Sequence, residues 1–541
     1  GETFNSYDLS IDSFGATYAA FDYNHSSNDK TAFRFNVFQE HLENDRDFFD
    51  GDRVGINPTL TYELGEKSTL TLSYEYNNHE RFIDRGIPTG DNGEPVSALA
   101  NTVFGDSELN TTTLESHTFR ATFDHEFSDN WKGSFSAFTG NYDKSYQNFY
   151  ASDYDEATNL VTLDGYLDTT ERTNTSFSGD LVGEIETGSV GHKIVIGGEY
   201  SRTSSDQDRY NSFFDTTSDD NEVFNASNFR LRNGVGVNAA GVVTTNSFNT
   251  DLNDDTRVDI DAFSFYIQDE IAVHEMLDVV LGARYDSFDI DVFNAVDGEN
   301  RSRTDEEISP RFGLVFKPTQ YLSFYGSYSE SFLPRSGEQF ANIDDGNDAL
   351  DPNTYSNTEF GAKWDIKDDL SLTIAAFRIE ESSPQVSDLD ASLFTVIDTE
   401  TQGVELELKG NVNHFWSVAA GYSYLDGEQV DSSGSDTGLT PREQPKHAFS
   451  VWNYAQATEK LAFGLGVIYQ DESFIDNDNT ATLPSYVRVD AAAYYQLTDN
   501  FKLQLNIENL LDRDYFPTSH STHQVSVGSP ISATLSLSGS F

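Results

Sequence analysis

Residues 531–541 read ISATLSLSGSF. Ile531, Ala533, Leu535, Leu537, Gly539 and Phe541 form one row, and Ser532, Thr534, Ser536, Ser538 and Ser540 form the other. Successive side chains of an extended strand point to opposite faces. One face of this segment therefore suits lipid and the other suits water. The rhythm recurs in Leu70, Leu72, Tyr74 and Tyr76, in Trp416 to Tyr424, in Leu461 to Tyr469, and in Phe501, Leu503, Leu505 and Ile507 against Lys502, Gln504, Asn506 and Glu508. A soluble sandwich also alternates, so the number of such segments and the way they are joined must decide.

The joints fall into two classes. Short polar turns stand at 65–67, 128–130, 187–189, 318–320, 367–369 and 498–500. Between them the sequence predicts longer polar loops over 77–113, 149–170, 205–257, 333–354, 426–443 and 512–530. Short turns at one end and long loops at the other are the asymmetry of a transmembrane antiparallel β-barrel, with the turns periplasmic and the loops extracellular. Pairing loops with turns gives about 22 strands, a size whose lumen is normally plugged. Closure also disposes of the edge strands that so large an open sheet would expose.

Composition agrees with an all-β barrel. Mean hydropathy is -0.52, and no stretch approaches the ~20 apolar residues of a membrane helix. A barrel strand needs only about ten residues, alternately apolar. The 27 Tyr and 41 Phe suit aromatic girdles. The absence of Cys excludes disulfides, thiolate metal sites and Cys nucleophiles. A net charge of -58, from 33 basic against 91 acidic residues, opposes nucleic-acid binding. Nothing resembling a signal peptide precedes Gly1, and an exported barrel needs one, so the chain is expected to begin after a removed or omitted N-terminal part. No phosphate loop, nucleophile elbow or paired-His motif marks an enzyme.

Several runs resemble the TonB-dependent siderophore receptor family. They include the run from Leu505 to Tyr515 with its Asn509-Leu510-Leu511-Asp512 core, Tyr266 to Glu270, Gly282 to Asp286, Gln402 to Leu406, and Ser309 to Pro318. The catecholate-siderophore branch is resembled by Asp84-Arg85-Gly86-Ile87-Pro88, by Ser329 to Gln339, by Thr482 to Asp490, and by His520-Ser521 with Gly528-Ser529-Pro530. Ile531 stands where the family usually has Arg, and the family's plug domain and TonB box are not in this sequence.

The resemblance implies a barrel over 1–541, without plug or signal peptide, in the outer membrane of a Gram-negative bacterium. It implies import of a ferric siderophore, driven by TonB acting through the missing N-terminal part. The implied partners are the cargo, the chain's own plug, outer-membrane lipid and the barrel-assembly machinery, which would read Phe541; the chain would be a monomer, with no nucleic-acid partner and no cofactor. A passive porin-like channel, a soluble acidic β-protein, and a receptor for cobalamin, haem or glycan are the alternatives.

An anionic aromatic cargo calls for cations and ring faces. The loop candidates are Arg81, Arg85, Arg335, Arg442 and Lys446, with Phe82, Tyr150, Tyr154, Phe332 and Phe516 beside them. The bland alternative pairs each cation with a nearby acid, Arg85 with Asp84 and Arg335 with Glu338. Glu405, Glu407, Arg488, Asp490 and Glu508 lie on polar strand faces, where they would either contact a plug or be hydrated. His520 and His523 lack the spacing of a zinc motif. Asp344, Asp345, Asn347, Asp348 and Asp351 offer oxygen ligands that calcium accepts, in a run without ordered motif spacing.

Overall fold

The computed structural model describes residues 3–28, 30–248, 250–296, 298–335, 350–387, 390–431 and 437–541, the side chains of 28, 385–397 and 431 excepted. Backbone N–H and C=O groups in hydrocarbon must all be paired, which a closed sheet achieves and an open one cannot. The sheet closes as the sequence predicts. The first strand, Phe4–Asp12, pairs antiparallel with Thr17–Asn28 on one side and with Ser532–Ser540 on the other. At this seam Leu9 opposes Leu537 and Tyr7 opposes Gly539. Phe541 exchanges two backbone hydrogen bonds of 2.9 Å with Asn5, and its ring lies 5.3 Å from Phe501. Of 23 strands in the sheet, Glu222–Asn225 is a loop strand clipped onto Leu160–Thr187, which leaves 22 in the wall among the described residues.

The alternation acquires a direction in this wall. Phe263, Phe265 and Ile267 are each about half exposed, whereas Ser264 is 4% exposed. Cross-strand partners share a face, so the register carries the assignment around the ring. Tyr200 opposes Phe263, Phe177 opposes Tyr200, and all three are exposed. Phe312, Leu314 and Phe316 continue the same band, as do Phe463, Leu465, Leu535 and Phe541. No helix among the described residues is long and apolar enough to cross a membrane; the strands supply the apolar surface.

The short turns stand where expected, between Glu63 and Ser68, Ser128 and Trp131, Thr187 and Val190, Lys367 and Leu370, and Gln496 and Phe501. One predicted loop is corrected. Residues 149–170 form paired strand, because Trp131–Asp155 and Leu160–Thr187 run as one hairpin around a four-residue turn whose Asn159 has φ 54°. At roughly 3.3 Å per residue these strands far exceed an apolar band ~25 Å tall, even when tilted. Their upper parts stand outside the hydrocarbon, so polarity there does not signal a loop. The wall likewise extends to Asn211, resumes at Leu252, and reaches Asp431 within segments predicted to be loop. The loop over 512–530 agrees with the gap between Glu508 and Ser532. Most of the 333–354 segment lies outside the described residues.

Two outcomes test this arrangement. Phe265→Arg, on the outer band, should cost about 2–4 kcal/mol of folding into phospholipid vesicles, as read by urea titration. Gln268→Arg, on the opposite face, should be close to neutral, and equal losses would overturn the assignment of faces. Deleting Phe541 should lower the amount of barrel in outer-membrane fractions; undiminished levels would remove its role in closure and assembly.

Candidate functional site

The loops at the long-strand end have a core of their own. Phe104, Phe149, Phe214 and Phe224, together with Ile87, Val161, Leu163, Ile475 and Val525, are at most 1% exposed and form one cluster. These residues come from the loop after Phe82, the tall hairpin, the loop after Asn211, and the loops before Tyr486 and Ser532. Burying each such side chain is worth roughly 1.5–3 kcal/mol. That is enough for five separate segments to pack as one cap.

Beside this cap the register defines a mouth. From the outward Phe135 and Phe177, pairing runs unbroken to Ala151 and Leu163. It places Tyr146, Tyr150, Tyr166 and Asp168 on the opposite, lumen-facing side, with Arg209 paired across from Asp168. Arg85 reaches into the same group. Its guanidinium lies 5.9 Å from the Tyr146 ring and 5.7 Å from the Tyr150 ring, and donates to Tyr146 Oη at 2.9 Å and Gln524 Oε1 at 2.7 Å. Arg209 stacks on Tyr166 at 4.6 Å while gripping both Asp168 oxygens at 2.7 Å.

The expected pairing of Arg85 with Asp84 does not form. The Asp84 carboxylate bonds Arg46, which also donates to the carbonyls of Ala100 and Thr102. Among the described residues no carboxylate pairs with Arg85. Gly86 explains how the chain delivers it: φ is +90°, and a Cβ there would lie 2.0 Å from the Val525 carbonyl oxygen. Only glycine permits this conformation and this approach, and the Ile87–Val525 bridge then docks the segment.

Burial, with Asp164 beside it, pushes the Tyr150 phenol well above its usual range, so it stays protonated and donates to Asp164 at 3.2 Å. His520 is pushed down by burial and then by the positive charges of Arg85 and Arg442. Arg442 donates to the carbonyls of Ser519 and His520 at 3.3 and 3.1 Å, with Glu443 3.7 Å away. Arg85, Tyr150, Arg442 and His520 thus border one region.

The other candidates lie elsewhere. Arg81 donates to the Phe82 carbonyl. Arg335 donates to the carbonyls of Asp351 and Pro384, and its backbone N–H to Asp305; Glu338 lies outside the described residues. Phe332 meets Phe288 edge-on at 5.8 Å. Lys446 binds Asp426 and covers Tyr424, whose register partner Val404 is on the outward band, so this cation sits outside the wall. Phe516, at 7% exposure, and Phe82, at 4%, are buried and offer no stacking face. Tyr154 donates to Asn159 and packs on the loop core. Sequence reasoning missed Arg209, Tyr146, Tyr166 and Gln524, because only cross-strand register and the docking of the loop at 524 beside Ile87 bring them to Arg85.

In the lumen, Glu405 and Glu407 alternate with outward Val404 and Leu406 and are exposed, as is Glu508. Arg488 and Asp490 pair with each other at 2.9 Å; Arg488 also donates to Tyr515 Oη, and Asp490 accepts the Asn509 N–H. The acidic run at 344–348 lies outside the described residues. A different group, Asp206, Asp208 and Asp255, brings three carboxylates within 4.8 Å of one another. It stands on the outward face, in register with Tyr200 and Phe263.

Comparison with known proteins adds a family. Residues 58–510 match the family described as TonB dependent receptor-like, beta-barrel. The chain is 28% identical over 533 residues to the probable TonB-dependent siderophore receptor PiuA of Acinetobacter baumannii, covering 90% of this chain and 69% of that protein. It is 25% identical to the metal-pseudopaline receptor CntO of Pseudomonas aeruginosa, over 93% of this chain and 70% of that one. It is also 25% identical to the catecholate siderophore receptor Fiu of Escherichia coli K12, over 91% and 70%. The crystal structure of PiuA superposes with a TM-score of 0.88 at 25% identity, covering all of this chain and 82% of that one.

His523 provides a test of the cap. Burial lowers its pKa below the usual 6.5, opposed by Asp153 at 3.8 Å, so it is packed neutral. Once released to solvent it takes a proton near 6.5. Its contribution to packing is therefore complete above that pH and is lost as pH falls through the window below it. Hydrogen exchange in 515–527, corrected for intrinsic rate, should show the loop opening more often at pH 5 than at pH 7.5. His523→Gln should flatten that difference; an unchanged pH response in the variant would assign it to other groups.

Proposed function

The chain belongs to the TonB-dependent receptor-like β-barrel family, and from that premise we propose that it imports a ferric siderophore of the catecholate type through the lumen mouth around Arg85. It resides in the outer membrane of a Gram-negative bacterium, and it is a receptor and transporter rather than an enzyme. Membership sets aside the passive-pore alternative.

One observation carries the reading of the mouth. In a chain with 91 acidic and 33 basic residues, Arg85 keeps its charge unmatched by any described carboxylate. It holds that charge against the faces of Tyr146 and Tyr150. A ferric catecholate presents negative oxygens around the metal and flat rings at its rim. Guanidinium donors match the oxygens, and phenol faces match the rings. The catecholate class is supported further by the likeness to Fiu. Release into the periplasm is the step assigned to TonB, acting on a plug held in the lumen, where exposed Glu405, Glu407 and Glu508 supply acceptors along the wall.

Arg85→Ala should weaken binding of a ferric catecholate about tenfold, consistent with removing one desolvated cation–π and hydrogen-bonding group. Barrel levels in the membrane should not change. Arg335→Ala should act more weakly and indirectly, since its guanidinium is occupied by two carbonyls. Equilibrium binding to whole cells measures both. Wild-type affinity in Arg85→Ala for every ferric catecholate tried would exclude the mouth as the capture site.

A further inference from the structure

We propose that Asn110 is a positioning residue that sets the spacing of Arg85 and Tyr150 and, through that pair, the affinity of the mouth; the second half rests on the reading of the mouth given above. Asn110 is fully buried. A side-chain amide has two N–H donors and an oxygen that accepts twice, and here all four positions are filled. Nδ2 donates to the carbonyls of Ile83 at 3.0 Å and Phe149 at 2.9 Å. Oδ1 accepts the N–H of Phe149 at 3.0 Å and of Asp106 at 2.9 Å. The backbone adds Ile83 N–H to Asn110 O at 2.9 Å.

The two segments so joined carry the mouth. Ile83 is two residues before Arg85, and Phe149 immediately precedes Tyr150. Asn110 touches neither functional side chain, but it fixes the backbones that present them 5.7 Å apart. The site is shaped for an amide. A Cβ on Gly105 would stand 2.4 Å from Nδ2, so glycine there leaves the space that Asn110 occupies. Asp would keep both acceptor bonds but set a carboxylate oxygen against the carbonyl oxygens of Ile83 and Phe149; Ala would orphan four buried backbone groups.

The Phe-rich core buries the same loops without specifying how they slide against one another, since apolar contact is non-directional. The amide is directional. That difference is the basis for assigning position to Asn110 and adhesion to the core.

A double-mutant cycle on the full-length receptor, with ferric dihydroxybenzoate as the probe, separates positioning from general support. Asn110→Ala should weaken binding about tenfold, and Asn110→Asp by at least as much, because its carboxylate would face two carbonyl oxygens. In an Arg85→Ala background, Asn110→Ala should cause no further loss. Additive losses approaching a hundredfold would overturn the proposal and leave the mouth standing as the capture site. No loss in Arg85→Ala alone would instead reject the mouth.

A ligand-free measurement tests the spacing itself. The chain has no Cys, so spin labels at Asp91→Cys and Asp153→Cys report the gap between the two segments directly. Asn110→Ala and Asn110→Asp should both broaden that distance distribution. A distribution as narrow as that of the parent, in barrel that still migrates as folded, would sink the positioning role whatever the cargo.

Discussion

A wall in hydrocarbon cannot leave a backbone N–H or C=O unpaired, and the rest of this molecule follows from meeting that demand by closure. The demand is strictest at the seam, where the chain's two ends must find each other. Phe4–Asp12 meets Ser532–Ser540 with Leu9 against Leu537, and Phe541 bonds back to Asn5. Once the ring is shut, side chains divide between two solvents by parity alone. Lipid takes Phe263, Phe265 and Ile267; the lumen takes Ser264 and Gln268. The large acidic excess is compatible with this wall because charges need only avoid one face over a limited height.

Above that height the constraint lapses. The upper part of the hairpin Trp131–Thr187 stands outside the membrane, and the loops around it can no longer be organised by oil outside and water within. They are held by a conventional buried core and by two fully buried polar side chains, Asp106 and Asn110, that bond the backbone. Asp106, fully buried, accepts the N–H groups of Glu108, Leu109, Asn233 and Gly234, so its charge is met by backbone dipoles rather than by a cation. Asn110 does the equivalent for the segments beside the mouth. Partly satisfied, such groups would be liabilities; fully satisfied, they specify one arrangement.

The division bears on function. Under the proposed function the cargo site must be held in place. A closed wall and a cored cap provide that steadiness by different means. Near the mouth Arg46 is spent on Asp84 and on two carbonyls, while Arg85 is presented on tyrosine faces.

What the sequence by itself determined was the elements of the wall: its period-two strands, of which 531–541 is the clearest, and its short turns. Each of these is local, because a strand's two faces are chosen residue by residue and a turn is closed by its own few residues. The same parity assigns Glu405, Glu407, Arg488, Asp490 and Glu508 to the lumen side. Tertiary structure alone decided the mouth. Arg85 is 61 residues from Tyr146 and 439 from Gln524, and no pattern within either segment encodes the other. Polarity misled at 149–170 for a related reason: it reports which solvent a residue meets, and outside the membrane strand and loop meet the same one. Phe516 and Lys446 resembled site residues in sequence, and only packing and register put the first inside the cap and the second on the far side of the wall.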